Sequence, residues 1–311
     1  MMLLRIVADA LYWRGASLLQ GGRPRRALPH LALAARLASS EPDYLYAAAM
    51  AAAAAGERDR AARYCERALN LDPGLEAAHS LLSEMFLQGE DYFQVLQRIH
   101  GHLRPRTYIE IGVETGASLR FVLPGTVALG VDPAPAVAFP LPPNVRVFGE
   151  TSDDFFARHD VRGELSGFPV DLALIDGMHH FEFALRDFMN LERLSTAEST
   201  ILVHDCFPHD RRTAQRERLL RFWSGDIWRL IVLLKKYRHD LSIHTIATPP
   251  TGLGVVRNLD PSSRFIADNL GRLCAEFKAL DYSYLEKDRA AKLNLFPNDW
   301  EQIRPLLARQ L

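Results

Sequence analysis

The sequence is poor in cysteine, in net charge and in long apolar runs, and each shortage excludes something. Three cysteines in 311 residues, Cys65, Cys206 and Cys274, stand far apart and form no C-x-x-C pair. Reduced thiols fit that scatter better than a disulfide framework does. Lys plus Arg total 37 against 38 Asp plus Glu, so no net field favours broad nucleic-acid binding, and none is expected. The strongest apolar run, Tyr44–Ala55, falls well short of the ~20 residues that a bilayer span needs. Arg5, Asp9 and Arg14 interrupt the apolar start where a secretory signal would be sought. A cytoplasmic protein with no membrane span is the expectation.

What is present changes character near residue 98. Residues 1–98 are rich in Leu and Ala at helical spacing and carry almost no strand signal. Gly15, Gly22, Ala27 and Ala34 recur as Ala49, Gly56, Ala61 and Ala68, each pair 34 apart. That is the tetratricopeptide period, and Pro73 falls where such a repeat ends. About two tetratricopeptide-like helical hairpins are predicted, then a closing helix over Leu75–Gln88. Since solenoids need about three repeats to stand alone, the segment is expected to lean on the domain after it. It reads either as a surface for a protein partner or self-association, or as a helical cap.

From residue 99 to 311, strands and helices alternate as in an open parallel sheet. The first strand, Tyr108-Ile-Glu110-Ile111, breaks at Gly112-Val-Glu-Thr-Gly116, and a helix is predicted over Ala117–Leu123. Glycines there let the backbone approach a ligand, and a helix start aims N–H groups at it. The dinucleotide fingerprint G-x-G-x-x-G is missing; the spacing is G-x-x-x-G. Val127–Val131 is a second strand that ends at Asp132, 20 residues beyond Gly112. An acid there can hold ribose hydroxyls, although a lone Asp after a strand is more often a turn former. Val145–Phe148 is a third strand, with Ser152 a candidate cap for the next helix.

Val170–Ile175 and Thr200–Val203 are the fourth and fifth strands. Arg211–Arg238 reads as two helices divided at Ser224-Gly225-Asp226, its aromatics Phe222, Trp223, Trp228 and Tyr237 serving as core or as a substrate lid. Leu241–Ala247 and Gly252–Arg257 are joined by Pro-Pro-Thr-Gly, a connection so short that the pair must be antiparallel. The predicted class is α/β: a Rossmann-like, doubly wound, mostly parallel sheet with a C-terminal antiparallel hairpin, preceded by an all-α domain. The sheet core spans 104–258, and 259–311 returns to helix.

The fourth strand delivers Asp176-Gly-Met-His179-His180-Phe-Glu182 and the fifth His204-Asp205-Cys206. Five ionisable residues therefore meet at two neighbouring strand ends. A histidine there can act as general base near neutral pH. Asp176 and Asp205 can instead supply hard oxygen ligands to a divalent metal that acidifies a substrate hydroxyl. A structural hydrogen-bond network is the third reading.

The run D-G-x-H-x-F-E (Asp176 to Glu182), followed by Asp187 and then V-H-D-C-F-P (Val203 to Pro208), resembles the class I S-adenosylmethionine-dependent methyltransferases. The group is that of the macrocin and rhamnosyl O-methyltransferases and cephalosporin-hydroxylase-like enzymes, and the similarity covers about 104–258. The resemblance implies that Glu110, Gly112, Gly116 and Ser118 line the methionine and ribose part of the cofactor. It implies that Asp132 holds the ribose, that Ser152 lies near the adenine, and that Asp176 and His179 face the reacting centre. His204 stands where metal-dependent relatives carry an acid, so Mg2+ or another divalent metal and a metal-free histidine mechanism both stay open.

The function so implied is O-methylation of a small-molecule or glycan hydroxyl, with S-adenosylmethionine as donor. His179 is the expected base, His204 the second candidate, and Asp176 and Asp205 orient or ligate. The alternative is an interaction protein that uses the helical repeats and only holds or senses the cofactor. A nicotinamide oxidoreductase is disfavoured by the missing fingerprint and by the terminal hairpin.

Overall fold

The computed structural model describes residues 2–308; Met1 and 309–311, at the ends of the two predicted spans, lie outside the described residues. The chain divides into two compact units, Met1–Phe86 with Leu219–Phe222, and Leu87–Arg218 with Trp223–Leu311.

The first unit holds helices α1 (Met2–Gln20), α2 (Pro24–Leu37), α3 (Pro42–Ala54), α4 (Arg58–Leu71) and α5 (Glu76–Phe86). Pro24 and Pro42 open their helices, where the missing N–H costs nothing. Neighbours in sequence pack on one another, α1 on α2, α2 on α3 and α3 on α4. Their core is largely alanine: Ala8, Ala27, Ala34, Ala48 and Ala52 are wholly buried. Small side chains bring the helices close, and at Gly15 an added Cβ would lie 2.5 Å from Leu31 Cγ. Gly22 and Gly56, 34 residues apart, both take left-handed φ just after α1 and α3. Both glycines thus release the chain after a helix of the all-α unit.

The second unit opens with α6 (Tyr92–Leu103), whose start carries a full capping box: Asp91 accepts from Gln94 N, and the Gln94 side chain accepts from Asp91 N. There follow β1 (Thr107–Ile111), β2 (Val127–Val131), β3 (Val145–Phe148), α7 (Ser152–Arg158), α8 (Val161–Glu164), β4 (Leu172–Ile175), α9 (Phe181–Leu194) and β5 (Thr200–His204). Then come α10 (Trp228–Tyr237), β6 (Ser242–Ile246), β7 (Leu253–Arg257), α11 (Phe265–Lys278), α12 (Ser283–Glu286), α13 (Arg289–Lys292), β8 (Leu295–Phe296) and α14 (Trp300–Leu306). The strand order is β3-β2-β1-β4-β5-β7-β6-β8. β1 to β5 pair in parallel, and β7 runs antiparallel to both β5 and β6. This is the Rossmann-like sheet with a C-terminal hairpin that the sequence predicts. The two-residue β8 beside β6 is too short to leave a pattern in the sequence.

Alternation along the strands assigns the faces. Tyr108, Leu172, Leu174 and Leu202 share a core with Val95, Leu96 and Ile99 of α6 and with Ile303 of α14. Ile109, Ile111, Ala173, Ile175 and Ile201 are buried outside that core, and α9 packs against β4 and β5.

Two helix predictions fail. Ala117–Leu123 is only a four-residue 3-10 turn, Ser118–Phe121, because α6 already covers that face of the sheet and packs on the turn. Of Arg211–Arg238 only Trp228–Tyr237 is helical. The stretch before it is held in an irregular path by side chains, Thr213 Oγ1 accepting from Asp210 N at 3.3 Å and Ser224 Oγ donating to Thr213 O at 3.0 Å.

Candidate functional site

The carboxyl ends of β1 and β2 carry the glycine loop, and the protein itself accounts for its geometry. Gly112 N donates to Val131 O, and Asp176 N to Ile111 O, both at 2.8 Å, so three strand ends are stitched together. Gly112 has φ +92°, and a Cβ there would fall 2.0 Å from the Asp176 carbonyl oxygen. The adjoining strand end therefore demands this glycine, with or without a ligand. Gly116 closes the turn, its N–H donating to Val113 O at 2.7 Å.

Asp132 braces the same loop. Its Oδ2 accepts from Val113 N and Glu114 N, each at 2.9 Å, and its Oδ1 from Ala134 N at 2.8 Å. The residue is half-buried, and Oδ1, with a single donor, keeps a lone pair open. Glu110 is wholly buried and accepts from Tyr108 OH at 2.7 Å and from Ser118 Oγ. Burial pushes its carboxyl up to about 8, against the pull of those two hydrogen bonds. Ser152 is not the cap of α7. Thr151, one residue earlier, has the extended backbone a cap requires, and its Oγ1 accepts from Asp154 N at 3.1 Å. Ser152 lies instead near Asp187 on α9, whose carboxyl it helps to hold ionised.

The ends of β4 and β5 are built differently. His204 Nδ1 lies 3.2 Å from both Asp176 Oδ1 and Asp205 Oδ2. His179 Nδ1 lies 3.1 Å from Asp205 Oδ2, and its Nε2 3.5 Å from Asp176 Oδ1. His179 and Asp205 both hold left-handed φ, +56° and +59°, which non-glycine residues rarely adopt. His179 Nδ1 and Asp205 Oδ2 are buried and close, yet misdirected, so neither is satisfied by a hydrogen bond among the described residues. Burial opposes charge on all four groups. Mutual attraction outweighs it: His204, His179 and the two carboxylates hold one another charged, the imidazoles titrating above their ordinary range and the carboxyls below.

Of the five polar residues grouped by sequence, the structure brings together Asp176, His179, His204 and Asp205. His180 turns away, its Nε2 2.9 Å from Arg216 O. Asp176, His179, His204, Asp205 and Asp187 line one small cavity. Asp187 is 3% exposed and its Oδ1 has no hydrogen-bond partner among the described residues; burial pushes its carboxyl to about 7.

Of three further neighbours, Tyr92 and Thr251 were not legible as site residues, and Trp223 read as core or as a substrate lid. Tyr92, at the start of α6, lays its ring 4.0 Å from that of His204; it lies in a stretch that reads as plain amphipathic helix. Thr251 Oγ1 donates to Asp205 Oδ1 at 2.6 Å, from a hairpin turn whose only sequence signal is the turn itself. Trp223 stacks on His179 with ring centres 5.0 Å apart. Asp226, wholly buried, donates its N–H to His179 O at 3.1 Å and accepts from Phe181 N at 2.6 Å and Arg216 at 2.6 Å. The irregular segment before α10 thus fixes the His179 loop.

The donor set suits a divalent cation. One ligand atom each from Asp176, His179 and Asp205 lie within 4.8 Å of one another, and two of those residues carry the orphaned polar atoms. Two carboxylate oxygens and an imidazole nitrogen are ligands that hard to borderline divalent ions accept.

Residues 109–206 match the family profile described as "Methyltransferase domain", a stretch that starts inside β1 and ends just past β5. No curated protein matches the chain. Among solved structures, the chain is similar to the O-methyltransferase TomG of Streptomyces achromogenes, whose structure holds SAM. The identity is 14% over 66% of this chain and 90% of that one, with a TM-score of 0.44. It is similar as well to an O-methyltransferase of Bacillus cereus in complex with SAH, at 16% identity over 60% of this chain and 91% of that one, TM-score 0.40. Likeness at this level is silent about activity.

Proposed function

We propose that this protein is an S-adenosylmethionine-dependent methyltransferase that acts on a hydroxyl of a small-molecule or glycan acceptor. The observation that carries the reading is the quartet Asp176, His179, His204 and Asp205 at the ends of β4 and β5, beside the glycine loop at the end of β1. A methyltransferase-domain match over the same strands supports it.

When bound, the cofactor supplies an electrophilic methyl group on a sulfonium. The chain's part is to hold, align and remove one proton. Residues 112–116 and the open lone pair of Asp132 are assigned to the ribose and methionine, with Glu110 and Ser118 supporting the loop from beneath. Ser152 and Asp187 are assigned to the adenine side. His179, the more accessible of the two histidines, accepts the acceptor's hydroxyl proton at Nε2 in the molecules whose imidazole is neutral, a fraction that grows as pH rises because its carboxylate neighbours favour the protonated ring, and Asp205 and Asp176 orient its ring. His204, packed between Tyr92 and the carboxylates, fixes those carboxylates.

A second reading rests on the convergent donors. Asp176, His179 and Asp205 would hold a divalent cation, Mg2+ or another, which would supply acidification of a hydroxyl beside it, with His204 in its neutral form as the proton acceptor.

The test is transfer of labelled methyl from S-adenosylmethionine to a panel of polyols and phenols, with Mg2+ added or chelated. Label on an acceptor hydroxyl supports the function, and its loss on chelation selects the second reading. Binding of S-adenosylmethionine without transfer to any acceptor would leave a cofactor-holding interaction protein. No binding would overturn both.

A further inference from the structure

Tyr92 opens α6 where the two halves of the sheet's carboxyl edge meet. Its ring centre lies 4.0 Å from that of His204. One residue on, Phe93 faces Phe121 of the 3-10 turn that follows the glycine loop, with ring centres 6.1 Å apart. The start of α6 therefore bridges the turn after β1 and the end of β5, with β4 between them. That position is fixed. Tyr92 N donates to Pro249 O at 3.1 Å, Gln88 N to Ala247 O at 3.2 Å, and Thr248 Oγ1 to Glu90 O at 2.7 Å. The same hairpin turn holds Asp205 through Thr251, so Tyr92 and the quartet share one support. The hydroxyl of Tyr92 is left over: it has no hydrogen-bond partner among the described residues, although the O–H of a buried tyrosine usually finds one. It lies in the field of four carboxyl groups, Glu110 and Glu114 on the β1 side and Asp176 and Asp205 on the other. Burial first, and then those acids, hold its proton on far above the ordinary range. It is thus no base, but a neutral hydroxyl with lone pairs to offer.

We infer that Tyr92 completes the cofactor site, its hydroxyl oxygen receiving the sulfonium end of S-adenosylmethionine between the glycine loop and the quartet. This rests on the function proposed above. If the loop at the end of β1 holds the methionine and ribose, and a histidine of the quartet takes the acceptor's proton, the methyl that passes lies between the two. The Tyr92 hydroxyl stands in that gap. C–H groups beside a sulfonium are polarised by its charge, and an oxygen lone pair accepts them as weak hydrogen bonds. The aromatic face of the same side chain attracts the cation as well. Tyr92 precedes the stretch 109–206 that matches the methyltransferase profile, so likeness to that family does not assign it. Its place comes from the packing of α6 on the hairpin turn and on His204.

The test is nuclear magnetic resonance of S-adenosylmethionine labelled with carbon-13 at the methyl, bound to the full chain and to Tyr92→Phe, with calorimetry of both. Phenylalanine keeps the ring, its packing on His204 and its ring current, and removes only the oxygen. The expected methyl proton resonance stands downfield in the wild type and moves upfield in Tyr92→Phe. Affinity falls about two- to fivefold in the variant, the worth of one weak C–H···O contact. A bound methyl resonance that is the same in both proteins overturns the inference, whatever the affinities, and leaves the proposed function standing. A wild type that binds no S-adenosylmethionine overturns the proposed function, and this inference with it.

Discussion

The two halves of the sheet's carboxyl edge solve opposite problems. At β1 and β2 the two acids meet protein partners: Asp132 takes three backbone amides, and Glu110 takes Tyr108 and Ser118. At β4 and β5 four charged groups crowd together, two of them on left-handed backbone and two with buried atoms left unsatisfied. Strain and orphaned atoms persist only where the surroundings over-determine them. Here those surroundings are Thr251, Trp223 and Asp226. The contrast teaches that a cradle can be complete before its ligand arrives, whereas reactive groups are held short of satisfaction until something binds.

The contrast can be broken or sharpened by substitution. His179→Ala should lower the rate of methyl transfer by about 10^2–10^4-fold, the usual worth of a general base, read as turnover at saturating cofactor. A rate within about threefold of wild type would move the base to His204. Gly112→Ala should cost about 2–4 kcal/mol of stability, since its Cβ would collide with the Asp176 carbonyl at a φ disfavoured for alanine. Urea denaturation measures it, and a neutral result would mean that the loop is free to move.

Titration with Mg2+ or Mn2+ should raise the melting temperature of the wild type by a few degrees through preferential binding to the fold. Asp205→Asn should lose that rise. An equal rise in both proteins would place the cation elsewhere.

A further effect lies in pH. Unfolded, the Glu110 carboxyl titrates near its ordinary 4.5; in the fold it keeps its proton to about 8. Between those values the native state binds the extra proton, so stability falls as pH rises from about 5 to about 8. Glu110→Gln should reduce that slope, leaving the contributions of Asp187, whose carboxyl is held up to about 7, and of His179 and His204, which are held above their ordinary range. An unchanged slope in Glu110→Gln would show the carboxyl to be ionised in the fold.

Much of this edge was legible because strands announce themselves locally. Val127–Val131 and Thr200–Val203 are apolar runs that end in an acid or a histidine, so Asp132, His204 and Asp205 could be placed on the edge from the chain's own pattern. The quartet came from adjacency of β4 and β5. What stayed hidden depends on contacts distant in sequence. Tyr92 reaches His204 across 112 residues, and nothing in its helix marks it. Ala117–Leu123 reads as helix by composition, yet α6 covers that face, and only a turn remains. Ser152 and Thr151 are both good caps by type, and backbone conformation chose between them. The segment before α10 reads as helix from its aromatics, whereas Asp226, Arg216 and Thr213 tie it into an irregular path.

The most direct measurement is calorimetric titration of S-adenosylmethionine into wild type, Asp132→Ala and His179→Ala. If the edge is divided into a cradle and a reactive half, Asp132→Ala weakens binding by roughly 10–100-fold, the worth of a hydrogen bond to a charged group, while His179→Ala binds as the wild type does. Equal loss in both variants, or loss in His179→Ala alone, would contradict that division.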